Sequence, residues 1–291
     1  MSDYPTADQF YALADMHARY KSAFNDEWLI RLAGVGRKPP HRDDLIAIGI
    51  EASDRAFDSA ATQQAMVAYQ WLNSQPSFIL AKEAVGFTVS SSLKIAERAI
   101  SAMEERLDPK TAEVRHYQGA LERRFTFFQE YISGVARCSA NYISGRSVKT
   151  ALEVPETLAR MQSLTSELQQ LISATDWFWG DKQKIMERHL ARVSHHLDEM
   201  STTPPSRRRD ASLPARLMAS ELIQLHHKVF WRPHNRAVFQ LMGLPFIEVQ
   251  MEMRTIERLA KAERERRKAE RERYQARLAR NKAADGPPAN P

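Results

Sequence analysis

The sequence predicts an all-α protein, an elongated antiparallel helical bundle with coiled-coil-like packing and a protruding basic C-terminal helix. Glycine is scarce, at 10 of 291 residues, and helix-favouring Ala, Leu, Glu, Gln, Arg and Met are abundant. Apolar residues recur at steps of three and four along most of the chain, which is the period of one helix face. Runs of β-branched residues are few, so sheets are poorly supported.

The first predicted helix is long and has signals at both ends. It follows Pro5, with Thr6 or Asp8 as its N-cap. Gly34 and Gly36 end it, because glycine commonly follows the last helical residue.

Three further helices follow in the prediction. One is expected over residues 43–73 and the next over residues 78–107. Asp108 and Pro109 stop the third helix and can open the fourth as N-cap and first residue. The fourth helix is expected to end at Gly145.

The fourth helix carries the clearest apolar pattern. Eight successive steps of three or four residues run from Val114 to Tyr142, which indicates a bundle or coiled-coil seam. A short link over residues 146–154 leads to Pro155, where a fifth helix continues the seam. We expect the chain to self-associate through these faces. The predicted apolar interaction face consists of Val114, Tyr117, Leu121, Phe125, Phe128, Ile132, Val135, Leu158, Met161 and Leu168.

A sixth helix from Asp181 completes the predicted bundle, and a polar segment with two adjacent prolines follows it. The predicted organisation is a long-helix bundle over 1–200, a linker over 201–210, a short helical module over 211–245, a charged helix over 246–282 and a disordered tail over 283–291.

All of the net charge lies near the C-terminus. Between Glu252 and Lys282 there are 12 Lys/Arg and 6 Asp/Glu, an excess that equals the +6 of the whole chain. Pairs such as Glu263 and Arg267, four residues apart, balance part of this charge within the helix. The segment is therefore either a solvated arm or a contact for an anionic partner such as nucleic acid. The predicted basic surface consists of Arg207, Arg208, Arg209, Arg264, Arg266, Arg267, Lys268, Arg271, Arg273, Arg277 and Arg280.

No specific catalytic signature is present, so we expect no enzyme and no cofactor. Six of the nine histidines lie between residues 189 and 234. His189 and His196 share a helix face with Glu199 in reach, which leaves a helical metalloprotein as an alternative. Cys138 is the only cysteine, so no intrachain disulfide can form, as is typical of the cytoplasm.

Two aromatic clusters and the absence of targeting signals complete the prediction. Trp177–Trp179 and Phe230–Trp231 either plug the end of a core or form an exposed patch. No secretory signal and no apolar stretch of membrane-spanning length is visible, so we expect a cytoplasmic protein.

The stretch from about Gly119 to Lys184 resembles the core of phasins, proteins that coat polyhydroxyalkanoate granules. The resemblance is carried by the amphipathic helix 125–142 and by the Pro-Glu start and Leu/Met-x-x-Gln pattern of residues 154–164. It covers less than a quarter of the chain, and the part after Leu213 does not share it. The resemblance implies a non-enzymatic protein whose amphipathic helices cover an apolar polymer. A helical scaffold with this role is the leading expectation, and a nucleic-acid-associated protein that uses the basic helix is the alternative.

Overall fold

A computed structural model describes residues 3–34, 40–87, 92–107, 112–174, 181–199 and 210–284. Within these ranges the chain forms eleven α-helices and no strand, which confirms the all-α class. The helices are α1 (Ala7–Gly34), α2 (Arg42–Ala60), α3 (Gln63–Ser74), α4 (Pro76–Ala84), α5 (Ser92–Glu104), α6 (Val114–Ile143), α7 (Arg146–Ala174), α8 (Asp181–Glu199), α9 (Leu213–Phe230), α10 (Asn235–Leu241) and α11 (Met253–Ala284).

The first helix begins and ends where the sequence predicts. The Gln9 N–H donates to the Thr6 hydroxyl at 3.3 Å, and the Thr6 N–H donates to the Gln9 side-chain oxygen at 2.9 Å. This reciprocal cap satisfies two N–H groups that a helix start leaves without partners. The helix ends at Gly34, while Gly36 lies outside the described residues.

Two of the predicted helices are each divided in the structure. The segment 43–73 forms α2 and α3, because the Thr62 hydroxyl accepts a hydrogen bond from the Ala65 N–H at 3.2 Å and starts a new helix. The segment 78–107 forms α4 and α5. Gly86, with a φ of 84°, follows α4 in the left-handed conformation that stops a helix.

The fourth predicted helix is present as α6, but it begins at Val114 with Glu113 as its N-cap, later than the predicted start at Asp108 and Pro109, which lie outside the described residues. The link predicted after it is not a loop. Gly145 has a φ of 69°, as expected of a helix stop. A new helix, α7, then begins directly at Arg146 and continues through Pro155. Proline lacks an N–H, so this turn has one backbone hydrogen bond fewer, and the strong helix formers around it keep α7 continuous.

The chain forms two compact units. Unit 1 contains residues 1–144 and 215–291, and unit 2 contains residues 145–214. This grouping differs from the predicted division, because α9 and α10 bury their apolar side chains in the same core as the first six helices. The predicted separate module at 211–245 is therefore mostly part of unit 1. Residues 201–209 of the predicted linker lie outside the described residues.

The core of unit 1 is built around α1, which packs against α2, α3 and α6. Aromatic rings follow one another along α1, where the centroid of Phe24 lies 6.4 Å from that of Tyr20 and 6.3 Å from that of Trp28. Phe246 closes one end of this core by packing on several rings, including those of Phe10 and Trp71 at 5.9 and 6.0 Å. This buried role explains why α11 begins at Met253 and not near Phe246 as predicted.

Unit 2 is a hairpin of the two helices α7 and α8. Among the described residues, no helix is both long and apolar enough to span a membrane.

Candidate interaction surfaces and a polar cavity

The α6 part of the predicted interaction face lies inside unit 1. Leu121, Ile132 and Val135 are fully buried, and Tyr117 and Phe125 are nearly so. Val114 and Phe128 are partly buried against the same core. These seven residues are thus core residues, because α6 is surrounded by α1, α2 and α5. The regular spacing identified a packed seam but not an external one.

The α7 part of the face is exposed. Met161 and Leu168 retain 47% and 44% of their accessible surface, and Leu158 is half-buried. Leu164, at 54%, extends the same stripe. An external apolar face therefore exists on α7, at a position that the sequence predicted.

The seam between α7 and α8 combines two buried apolar residues, Ile172 and Leu197, with hydrogen bonds of polar side chains, and it leaves other apolar side chains outside. The Gln162 amide donates to the Asp198 carboxylate at 3.1 Å, and the Gln183 amide donates to the carbonyl of Ile172 at 3.2 Å. With about 100° of rotation per residue, the exposed apolar residues of α7 and α8 lie on the same side of this seam. We call this surface the hairpin apolar face, formed by Val154, Met161, Leu164, Leu168, Met186 and Val193.

The basic helix α11 begins as part of the unit 1 core. Ile256 and Ala260 are fully buried, and the Glu263 carboxylate is almost buried. Arg266 and Arg267 each donate to Glu263 at 2.7 Å, which confirms the predicted pairing four residues apart. Burial alone would raise the pKa of Glu263, but these two arginines outweigh it and hold the pKa below its usual value.

The later part of α11 is solvent-exposed and only partly paired. Arg264, Arg271 and Arg273 form no ion pair with any described residue, whereas Lys268 lies 3.9 Å from Glu272. Other predicted basic positions cannot be placed: the side chains of Arg277 and Arg280, and the whole of Arg207, Arg208 and Arg209, lie outside the described residues.

In the aromatic pair Phe230–Trp231, the first ring is part of a buried cluster and the second is exposed, so each residue takes one of the two predicted roles. Phe230 packs in a cluster with Phe127 and Tyr131, both at 5.4 Å. Trp231 is 84% exposed and has a φ of 63°, a left-handed conformation that is unfavourable for a tryptophan. The other predicted cluster, Trp177–Trp179, lies outside the described residues.

The histidines do not converge on a metal site in the part of the chain that the structure describes, where no group of three or more ligating residues is found. His226 is fully buried against the rings of Tyr131 and Phe230, both at 5.6 Å. Burial is the main cause that lowers the pKa of His226 to about 3, the nearby His234 and His227 side chains contribute in the same direction, and the backbone of His234 opposes them. His226 is therefore neutral at physiological pH.

Four helices of unit 1, α1, α6, α9 and α11, line a wide-open surface cavity of about 780 Å³. Ion pairs form parts of its wall: Lys228 lies 2.8 Å from Glu130, and Arg137 lies 3.2 Å from Asp15. Equal numbers of acidic and basic side chains line it.

The chemistry at one end of the cavity opposes nucleophilic catalysis. Cys138 is buried next to Glu221, and burial and this carboxylate raise the pKa of the thiol well above its usual value. Glu221 itself accepts a hydrogen bond from Asn141 at 3.1 Å. A thiol that stays protonated is a weak nucleophile, so Cys138 is not activated for nucleophilic attack.

Two histidines at the cavity have buried nitrogen atoms without a hydrogen-bond partner in the structure. They are Nδ1 of His17 and Nε2 of His227. Burial lowers the pKa of both rings. The sequence carries no signal that α1, α6, α9 and α11 converge here.

Comparisons with known proteins give no relative from which a function could be transferred. No family model, no curated protein and no solved structure matches this chain. The resemblance to phasins stays a prediction.

Proposed function

We propose that this chain is a non-enzymatic helical binding protein that docks through the hairpin apolar face. In its most concrete form it coats a hydrophobic polymer granule in the cytoplasm, as the resemblance to phasins implies. Unit 1 then acts as a folded, water-facing body, and unit 2 supplies the adhesive surface.

The exposure of six apolar side chains on one side of a helical hairpin supports this proposal. Contiguous exposed apolar surface is uncommon on monomeric soluble proteins and usually marks an interaction site. Covering it is favourable by roughly 25 cal/mol for each Å² removed from water. Ile172 and Leu197 are buried between the two helices, so the hairpin can lie on an apolar surface with its exposed face without losing its internal contacts.

Co-sedimentation with polyhydroxybutyrate particles tests the proposal. Met161→Glu/Leu168→Glu places two charges in the hairpin apolar face, and we expect it to lower the adsorbed fraction about tenfold, because a charge at an apolar contact must be desolvated. Ser163→Glu/Ser166→Glu adds the same charges at exposed positions outside that face and serves as the matched control. If both variants adsorb like the parent protein, the proposal fails.

A second copy of this chain is the alternative occupant of the hairpin apolar face. Sedimentation velocity distinguishes this self-association from surface coating. If the parent protein forms a dimer that Met161→Glu/Leu168→Glu converts to a monomer, a second copy covers the face in solution. A monomeric parent that still adsorbs to particles favours the granule surface.

The exposed part of α11 supports a second binding function. Arg264, Arg271 and Arg273 have no ion-pair partner among the described residues and lie on a helix that carries an excess of positive charge. Such a helix can attract an anionic partner, including nucleic acid, through its phosphates. We propose it as an electrostatic tether that acts beside the apolar contact.

A further inference from the structure

The side of the hairpin that carries the hairpin apolar face also carries two histidines of α8. They lie on an exposed stripe whose members follow one another at steps of three, four and three residues: Met186, His189, Val193 and His196. The two apolar members retain 36% and 46% of their accessible surface. Apolar side chains and imidazoles thus alternate along about three turns of the helix.

These histidines lie on the same side of the hairpin as the exposed apolar residues of α7. His196 directly precedes Leu197, which is buried between the two helices. Met161 likewise directly precedes Gln162, whose amide hydrogen-bonds to α8 across the seam. With about 100° of rotation per residue, positions one residue before the seam lie on the same side of two antiparallel helices. His189 shares this side because it lies about two turns before His196.

The level of the two histidines along the hairpin follows from the hydrogen bonds of Gln162 and Gln183, which set the antiparallel register of α7 and α8. In this register the two histidines lie at about the levels of Leu164 and Leu168, which are 54% and 44% exposed. An apolar surface that covers these leucines therefore also covers the imidazole rings.

Charged groups lie beside the two histidines but not in the apolar stripe of α7. This stripe contains no titratable side chain along the whole of the described helix, since its members are Thr150, Val154, Thr157, Met161, Leu164, Leu168 and Leu171. The charged residues on the flanks are Lys182 and Arg192 of α8 and Arg160 and Glu167 of α7. The ring of His195 lies 6.2 Å from that of His196, and the side chain of Glu199 lies outside the described residues. The flanks thus offer a protonated ring more cations than carboxylates.

Histidine can join an apolar contact only in its neutral form. It is the side chain whose charge ordinarily changes between about pH 5 and 8. A neutral imidazole has an apolar body that an apolar surface can cover, whereas an imidazolium would have to leave water without a compensating charge. Binding of the face to an apolar surface is therefore strongest above the titration of the histidines and is lost as the pH falls through it.

We propose that His189 and His196 make the hairpin apolar face acid-sensitive, so that it binds an apolar surface at neutral pH and releases it in mild acid. This regulation rests on the adsorption proposed above for the same face. Because adsorption at neutral pH and its loss in acid are separate observations, one can fail without the other.

Co-sedimentation with polyhydroxybutyrate particles at pH 7.5 and 5.5, at constant ionic strength, tests this regulation. We expect the affinity of the parent protein to fall at least about tenfold, since each histidine that must be neutral contributes up to about tenfold for each unit of falling pH. Circular dichroism at pH 5.5 confirms the fold, and a return to pH 7.5 should restore adsorption. Equal adsorption at both pH values overturns the acid sensitivity alone, whereas no adsorption at pH 7.5 overturns the granule proposal as well.

Glutamine variants locate the groups that respond to acid. His189→Gln/His196→Gln keeps two polar side chains that cannot be protonated, and we expect its affinity to change less than about twofold between the two pH values. His195 is exposed but directly follows a residue of the seam, so it lies on the other side of the hairpin, and His195→Gln is the matched control for the single variant His196→Gln. His196→Gln should weaken the pH dependence and His195→Gln should preserve it. If the double variant keeps the full pH dependence, or if His195→Gln abolishes it, the proposal is overturned.

A leucine variant tests the same idea in the opposite direction. His189→Leu/His196→Leu makes the exposed stripe of α8 apolar throughout, so we expect it to adsorb at pH 5.5 at least as strongly as the parent protein does at pH 7.5. If this variant is folded by circular dichroism and still leaves the particles at pH 5.5, the acid response comes from other groups and the proposal is overturned.

Discussion

At the scale of single residues, buried histidine is a costly feature of unit 1. His226 is enclosed by aromatic rings, and neither of its ring nitrogens has a hydrogen-bond partner within the described residues. The ring can remain there only as the neutral form, since an isolated buried charge is far more costly than a neutral ring. The lowered pKa of about 3 expresses this preference.

Stability should therefore fall in mild acid. The unfolded chain binds a proton at His226 below about pH 6.5, whereas the folded chain does so only near pH 3. Between these values the free energy of unfolding decreases by up to about 1.4 kcal/mol for each unit of falling pH. His226→Phe removes this contribution, so its loss of stability between pH 7.5 and 5.0 should be about 2 kcal/mol smaller, as measured by urea unfolding.

An exposed histidine provides the control for this pH dependence. His189 lies on the outside of α8, and His189→Gln should leave the pH dependence unchanged. Identical slopes for His226→Phe and the parent protein would show that His226 is not held neutral by burial.

Two helical glycines should respond oppositely to the same substitution. A Cβ at Gly49 would lie 2.6 Å from Cδ1 of Leu121, which is fully buried, whereas a Cβ at Gly119 would meet only Arg123 at 3.5 Å. We expect Gly49→Ala to lower the free energy of unfolding by about 1–2 kcal/mol, because the cost of overpacking exceeds the gain in helix propensity. Gly119→Ala should raise it by about 0.5–1 kcal/mol. Thermal unfolding of both variants checks the pair, and a stabilised Gly49→Ala would contradict the close packing of α2 on α6.

At the scale of helices, the spacing of apolar residues predicted where the helices lie better than it predicted which helix faces are covered. The seams of α6 and α7 have the same three- and four-residue steps, yet one is buried in unit 1 and the other is exposed on unit 2. Periodicity records which face of a helix is apolar, and only the packing partners decide whether that face is covered. The division at Thr62 was hidden for a similar reason, because a threonine within a helical pattern caps only if the chain turns there.

The cavity could not be predicted from the sequence. His17, Glu130 and His227 are separated by roughly a hundred residues each, and they meet because α1, α6 and α9 pack together. No spacing rule relates positions on helices that are distant in the chain. By contrast, the pairing of Glu263 and Arg267 was predictable, since residues four apart are neighbours on any helix.

The exposed part of α11 should give salt-dependent binding if its partner is nucleic acid. Each arginine that contacts a phosphate contributes about 0.9 to the slope of log affinity against log salt concentration. Arg271→Gln/Arg273→Gln should therefore weaken binding to a random-sequence DNA duplex and lower that slope by up to about 2, as measured by fluorescence anisotropy.

The matched control removes two positive charges from elsewhere in unit 1. Arg98 and Arg124 are exposed on α5 and α6, and Arg98→Gln/Arg124→Gln should change the salt slope little. Equal effects of the two double variants would show that DNA responds to net charge alone, and no binding by the parent protein would exclude this partner.

At the scale of the whole molecule, unit 2 is inserted between two helices of unit 1. The chain leaves unit 1 after Ser144 and returns at Ala215. The two helices at this junction are in contact, since the Asn141 side chain donates to Glu221 at 3.1 Å and Leu225 packs over Gly134. The points where the chain leaves and re-enters unit 1 are therefore close to one another, and unit 1 has its own core. Segments with these properties are commonly removable without loss of the parent fold.

We therefore expect unit 1 to fold without the hairpin. Replacement of residues 145–214 by a flexible linker of about six Gly and Ser residues should give a protein with a cooperative thermal transition, because the core side chains of unit 1 are retained. The same protein should no longer adsorb to polyhydroxybutyrate particles. A control protein that keeps the hairpin and carries an equally long linker inserted at Gly145 should fold cooperatively and still adsorb. If unit 1 without the hairpin folds and still adsorbs to the particles, the apolar contact lies outside the hairpin. If the protein that lacks the hairpin shows no cooperative transition, the two units fold as one.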